Sequence, residues 1–363
     1  MSAKGIAFEL LCEALEKDPE ICEVGKTFFQ SELVSSYPGH RVAVSASVLP
    51  DLYVHAHRSL FELKSRRYRL DNKDTPPHVV KAFEKLSRVV VLFNSECATA
   101  WNIRKELLES NRTDLLVERH LCDVVLRSFP KSRETFVHRR WLVRNATQSL
   151  KACQDVCGMS LTELLEQERR VCQWCAELAR HNYQAWNHRV WVLRLLIECD
   201  SSCNIMDVVK VDLIDTALWL ESHVSDYSGL HHRYCVMMYV TISFQSSRTL
   251  GWEEVVIDLL TSDLDKLSGL IRFFPGHQTL WYYRRAVVYL LVHCLADTSS
   301  DQICLDSPSR LNCVTLLKNE DTFSKEICKQ SSEGIEDFKQ SELAALHSKW
   351  LHIAKNLGAS ATD

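Results

Sequence analysis

Three groups of residues in this chain have types and spacings that chemistry could use. The first is a cysteine series, Cys153-x3-Cys157 followed by Cys172-x2-Cys175, whose spacing could present four thiolates to a zinc ion. The second is the pair His231-His232. The third is a phrase that recurs five times, a large apolar residue, two spacers and an arginine: Trp101 with Arg104, Phe136 with Arg139, Trp186 with Arg189, Leu230 with Arg233, and Trp281 with Arg284. Positions i and i+3 share a helix face. The ring at i would fill a wedge between neighbouring helices. The arginine one turn on would bond carbonyls or acids of the next unit, or point onto a concave surface.

The first two groups have simpler explanations. Cys172 and Cys175 fall on the apolar stripe of a helix running from Leu161 to Arg180, where cysteine is an ordinary small hydrophobe. No glycine-rich knuckle accompanies them, and no metal site is expected on this chain. Fifteen cysteines in 363 residues, an odd number in a large chain, read as reduced thiols and not as a disulfide framework. His231-His232 lies inside the fourth copy of the phrase. No serine or cysteine nucleophile phrase is present.

The elements that must carry the phrase are helices. Between Pro130 and Pro275 there is no proline, and the chain has only 10 glycines, which disfavours hairpin-rich β structure and phosphate-cradling glycine loops. From Leu161 to Arg180 apolar residues follow the 3, 4, 7 spacing of an amphipathic helix. Val42–Val48 is the best strand candidate. The five arginines are 35, 50, 44 and 51 residues apart, each phrase lying between helical patterns. This predicts an all-α fold, a right-handed α–α superhelix of about five stacked hairpins resembling a tetratricopeptide solenoid.

The expected organisation is an N-terminal helical or irregular region (1–80), helical repeats (81–296), a polar insert or linker (297–341), and a C-terminal helix and tail (342–363). The cluster Lys64-Ser-Arg-Arg-Tyr-Arg69 is expected on a solvated face before a helix opening near Pro77. Lys and Arg total 43 against 47 Asp and Glu, a net charge of −4. That is no basic excess, so a nucleic-acid partner is not expected. No apolar run approaches the roughly 20 residues of a membrane span. The opening stretch reads as an amphipathic helix and not a signal peptide, and the end, Ala-Ser-Ala-Thr-Asp, carries no prenylation box. A cytoplasmic location is expected.

The segment NYQAWNHRVW, Asn182 to Trp191, closely resembles the repeat of the protein prenyltransferase α-subunit family. That phrase runs proline, lysine, Asn-Tyr, two residues, Trp, one residue, His-Arg. Pro130-Lys131 supplies the opening pair in the second copy. The copies cover residues 97–285. The divergent copies and long N-terminal region are more similar to repeat-containing members of that family than to the α subunits of farnesyltransferase or Rab geranylgeranyltransferase.

The resemblance implies a crescent of hairpins around a β subunit that holds the catalytic zinc and most of the isoprenoid and protein-substrate sites. By motif position Lys131 would approach the isoprenoid diphosphate and stabilise it as it departs; otherwise it is a solvated loop lysine. Arg133, Asn182, Tyr183 and Gln184 would face the same cleft, although Asn182 and Tyr183 could equally cap the helix carrying Trp186. Ser132-Arg133 stands where the family has Asn-Tyr, and Gln184 where the farnesyl enzyme often has histidine.

The implied activity is that of the non-zinc α-type subunit of a protein geranylgeranyltransferase. Geranylgeranyl diphosphate would be the co-substrate, a protein with a C-terminal-region cysteine the acceptor, and the Rab-type β subunit the partner. The rival reading is a non-catalytic, tetratricopeptide-like scaffold that binds peptides or partner proteins. Such units keep a period of about 34 residues and a Trp–Leu-Gly–Tyr phrase, and both are missing here.

Overall fold

A computed structural model describes residues 3–28, 32–66, 70, 75–151, 160–199, 205–247, 252–298, 312–330 and 335–359. Among them are fourteen helices and three short strands, so the fold is an all-α helical-repeat architecture. Contacts divide the chain into two compact units, Met1–Ser201 and Ser202–Asp363.

The first unit opens with α1 (Ala3–Lys17), then β1 (Glu23–Thr27), β2 (Val34–Tyr37) and β3 (Arg41–Ser45), then α2 (Leu49–Ser65). β3 lies centrally, parallel to β1 and antiparallel to β2. The strand expectation at Val42–Val48 therefore shifts to Arg41–Ser45 and gains two partners. The sheet rests on the repeats: His120 Nε2 lies 2.8 Å from the Ile21 carbonyl, and the Ser128 hydroxyl donates to the Val24 carbonyl. Three hairpins follow, α3 (Pro77–Phe93) with α4 (Ala98–Glu109), α5 (Leu115–Ser128) with α6 (Arg133–Lys151), and α7 (Leu161–Leu178) with α8 (Tyr183–Cys199). First helices pack on first helices and second on second. Pro77 opens α3 at the position where a missing N–H costs nothing. A capping box starts α7, Ser160 and Glu163 each accepting the other's backbone N–H.

The second unit holds α9 (Ile205–Ser222) with α10 (Tyr227–Ser247), α11 (Trp252–Phe273) with α12 (Gln278–Thr298), and α13 (Cys313–Gln330) with α14 (Ile335–Ala359). Here the structure differs from the sequence expectation. Much of the stretch 297–341 is helix: α13 forms from it, and α14 starts seven residues before Glu342. The Ser-rich, charged composition misled because α13 exposes a broad polar face while burying Leu316, Leu317, Phe323 and Ile327. Residues 299–311 lie outside the described residues, as do Cys153, Cys157 and Arg67–Arg69.

All five large residues of the recurring phrase are buried on second helices, Trp101, Phe136, Trp186, Leu230 and Trp281. Cys172 and Cys175 are core residues too. Burial pushes the Cys172 thiol up to about 12 and Cys175 above its ordinary value. Among the described residues no group of three or more His, Cys, Asp or Glu is arranged to hold a metal.

Candidate functional site

The arginines of the phrase are buried structural groups. Each of four reaches back to a backbone carbonyl 20 residues earlier on its hairpin's first helix: Arg104 to Glu84, Arg139 to Arg119, Arg233 to Leu213 and Arg284 to Leu264. Each also reaches forward to an acid on the next hairpin's first helix. Arg104 pairs with Glu118, Arg139 with Glu168, Arg233 with Asp263, and Arg284 with Glu320.

The same acids are held from the other side. The residue just before the next phrase's arginine points back to its own hairpin's acid. His188 lies 3.0 Å from Glu168 and His232 2.7 Å from Asp212. The Tyr283 hydroxyl donates to Asp263, and His138 stands 3.6 Å from Glu118. On α14, His347 lies 3.1 Å from Glu320. So the His-Arg dipeptide works in two directions, histidine into its own hairpin and arginine into the next. Burial alone would raise the Glu118 carboxyl, but the Arg104 guanidinium outweighs it and holds the group down at about 2. Glu168 and Glu320 are likewise depressed against the pull of burial. Burial lowers His138, His188 and His347 despite those carboxylates, which favours neutral imidazoles. His188 and His347 lie within hydrogen-bond distance of their acids, whereas His138 stands near Glu118 without a hydrogen bond.

Above this ladder lies the turn between α5 and α6. Pro130 and Lys131 form it and Ser132 caps α6, its hydroxyl accepting from the Thr135 N–H. His181 takes a left-handed φ of 54° and leads the chain into Asn182, which starts α8. Asn182 is wholly buried. Its amide donates to the carbonyls of Pro130 (2.6 Å) and Cys175 (2.9 Å), and its carbonyl oxygen accepts from the Ala185 N–H. Every side-chain polar atom is thus used in capping α8 and pinning the α5–α6 turn.

That pin sets Lys131 and Arg133 at one turn beside Tyr183 and Gln184 at the start of α8. Lys131, Arg133 and Tyr183 are exposed and Gln184 is half-buried. These four polar residues thus lie at two helix starts that the Asn182–Pro130 bond ties together.

A separate feature of the second unit is a cavity of about 420 Å³ between α9, α10, α11 and α12, lined by Leu220, Arg233, Asp263, Leu270, Phe274 and Tyr283. It borders the ladder position where tyrosine replaces histidine. Sequence reasoning missed the ladder's acids. Their signal was an acid 20 residues before the His or Tyr in several copies.

Residues 165–196 and 260–291 match the protein prenyltransferase alpha subunit repeat. These ranges cover most of the α7–α8 and α11–α12 hairpins. Two hairpins of this chain are therefore similar to that repeat. It is similar to the human protein prenyltransferase alpha subunit repeat-containing protein 1, 28% identical, covering 80% of this chain and 79% of the relative. The Danio rerio protein of that name is 26% identical over 77% of this chain and 70% of the relative. The Saccharomyces cerevisiae geranylgeranyl transferase type-2 subunit alpha is 21% identical over 70% of this chain and 72% of the relative. The ladder runs through both matched stretches, as His188-Arg189 in the first and Tyr283-Arg284 in the second.

Proposed function

We propose that this chain is the α-type, non-zinc subunit of a heterodimeric protein prenyltransferase that transfers geranylgeranyl from its diphosphate to a cysteine near the C terminus of a substrate protein. The observation carrying this reading is the Asn182–Pro130 tie, which holds the Lys131 turn against the start of α8, a helix inside a stretch that matches the α-subunit repeat. The likeness to a geranylgeranyl transferase type-2 alpha subunit supports the choice of lipid and of a Rab-type β partner.

In this reaction the cysteine sulfur bonds to the terminal carbon of the isoprenoid, the carbon–oxygen bond breaks, and diphosphate leaves with the bonding pair. A zinc ion held by the β subunit would lower the pKa of the acceptor cysteine's thiol, so that its sulfur reacts as thiolate. This chain's part is electrostatic. Lys131 and Arg133 place fixed positive charge where the diphosphate gains negative charge. Tyr183 and Gln184 offer hydrogen bonds to the diphosphate or to the acceptor peptide.

The test is co-expression with each prenyltransferase β subunit, purification through a tag on this chain, and transfer from labelled farnesyl and geranylgeranyl diphosphates to cytosolic protein. A stoichiometric complex that transfers geranylgeranyl supports the reading. Failure to assemble with any β subunit sinks it. A complex without transfer favours the scaffold reading, which draws support from human and fish relatives whose names state repeats and no activity.

A further inference from the structure

Each ladder arginine whose bonds are described above pairs with a carboxylate, but two arginines beside them do not. Along α6, Arg133, Val137, Arg140 and Arg144 follow one another at four, three and four residues, a single stripe on one helix face. The Arg140 Nε donates to His188 Nδ1 at 3.2 Å. Its Nη2 is shielded from solvent and has no acceptor. The Arg140 guanidinium lies 5.8 Å from the centre of a Trp191 ring on α8, and that of Arg144 lies 5.5 Å from the same centre. Two cations therefore share one indole platform. Burial lowers the Arg140 pKa, and Arg144 lowers it further. Among the described residues no carboxylate pairs with either guanidinium.

The contrast within the unit is direct. Cations on or beside the first helices have acids: Arg88 pairs with Glu84, Lys85 with Glu16 at 3.4 Å, and Arg169 with Glu166 at 2.9 Å. A chain with net charge −4 has carboxylates to spare. A half-buried guanidinium with an unsatisfied N–H is costly, and its neighbour of like charge adds to the cost. An acid brought from outside would relieve both.

Geometry points to the class of that acid. The stripe from Arg133 to Arg144 is eleven residues long, about 16 Å at the helical rise. That is too long for one small anion and matches carboxylates one helical turn apart. It also includes Val137, which is 41% exposed, so an apolar contact lies between the cations. Arginine and tryptophan together make the kind of centre that dominates protein interfaces.

We propose that the α6–α8 face is a docking surface for an acidic helix of a partner protein. Its carboxylates, one turn apart, pair with Arg140 and Arg144, and its apolar positions cover Val137 and Trp191. This stands apart from the transfer reading, because it requires an acidic partner and no chemistry.

The test uses the purified full chain and calorimetric titration with three probes: a helical peptide with glutamates spaced at i and i+4, its glutamine counterpart, and inorganic diphosphate. The expected result is that the glutamate peptide binds and that its affinity falls at least tenfold in Arg140→Gln/Arg144→Gln. The glutamine peptide should bind at least tenfold more weakly, and salt should weaken the glutamate peptide. The lysine double variant should retain part of the affinity. Arg144→Gln alone, an exposed change, covers the case in which the double variant does not fold, and should weaken the peptide severalfold. Equal binding by the glutamine variants, no binding of the peptide at millimolar concentration, or diphosphate displacing it from the same arginines more tightly would each overturn the proposal.

Discussion

Arg139 on α6 grips Glu168 on α7 at two points, Nε to Oε2 at 2.6 Å and Nη2 to Oε1 at 3.0 Å. Glu168 also accepts from Arg119 and lies against His188. One fully buried carboxylate therefore joins three helices on either side of a hairpin boundary. Burial of the rings drives the packing in proportion to area and is not directional. A bidentate pair fixes direction and register, and the constant 20-residue reach from arginine to carbonyl shows the same register in copy after copy.

Breaking such a pair from one side should be severe, because a buried charge is left alone. Glu168→Ala is expected to cost about 3–5 kcal/mol in urea unfolding. Glu163→Ala, which removes only half of an exposed capping box, should shift the midpoint far less. Similar midpoints for the two variants would contradict the ladder.

Stability should fall on acidification in two stages. His138, His188 and His347 have folded pKa values below their ordinary 6.5, so below that pH the unfolded chain takes up protons that the folded chain refuses. Each adds a slope of up to about 1.4 kcal/mol per pH unit. The depressed carboxylates of Glu118, Glu168 and Glu320 stabilise the fold above 4.5, and their contribution is lost progressively as pH falls from there through each folded pKa. Denaturant midpoints across pH 7.5 to 4 should begin to drop near 6.5; a flat profile down to 5 would exclude neutral buried histidines.

The phrase Trp-x-x-Arg revealed the helices and their pairing because a wedge-filling ring and its spacing are local properties. The acids were not legible: Glu118, Asp212 and Glu320 sit among many other acids, and only the fold shows which are buried. Asn182 read equally well as a cap or a cleft residue, since both need an asparagine before a helix; its burial decides for the cap. The hairpin of α13 and α14 was hidden because α13 carries acids and lysines on every turn, and its apolar face is narrow. The turn that places Lys131 beside Tyr183 depends on a contact 52 residues apart, a separation that no local pattern encodes.

Asn182→Ala should separate positioning from direct contact. Loss of the cap and of two carbonyl partners is expected to cost about 1–2 kcal/mol and to lower transfer by the assembled complex. Lys131→Ala, at an exposed turn, should change stability by less than about 0.5 kcal/mol while slowing transfer and leaving assembly intact. Thermal unfolding together with single-turnover transfer reads both. A Lys131 variant with unchanged single-turnover rate would remove that residue from the diphosphate contact.

Tyr283 is the ladder's one departure from histidine among the described acid partners, and its consequence is testable. Its hydroxyl donates to Asp263, which Arg233 holds from the other side. Burial pushes the Tyr283 pKa well up, and the adjacent Asp263 carboxylate pushes it further, so the phenol stays neutral and remains a donor. Tyr283→Phe removes that donor while keeping the ring, and should cost about 1.5–3 kcal/mol, the range for a hydrogen bond to a charged group. Tyr283→His restores the repeat's usual donor but gives up ring volume beside the 420 Å³ cavity. If the ladder governs, histidine should be better tolerated than phenylalanine, and its loss should grow below pH 6.5 as the new imidazole titrates in the unfolded chain. If packing around the cavity governs, the order reverses, with phenylalanine close to wild type. Urea midpoints of the two variants at pH 7.5 and 5.5 decide between a polar and an apolar role at this position.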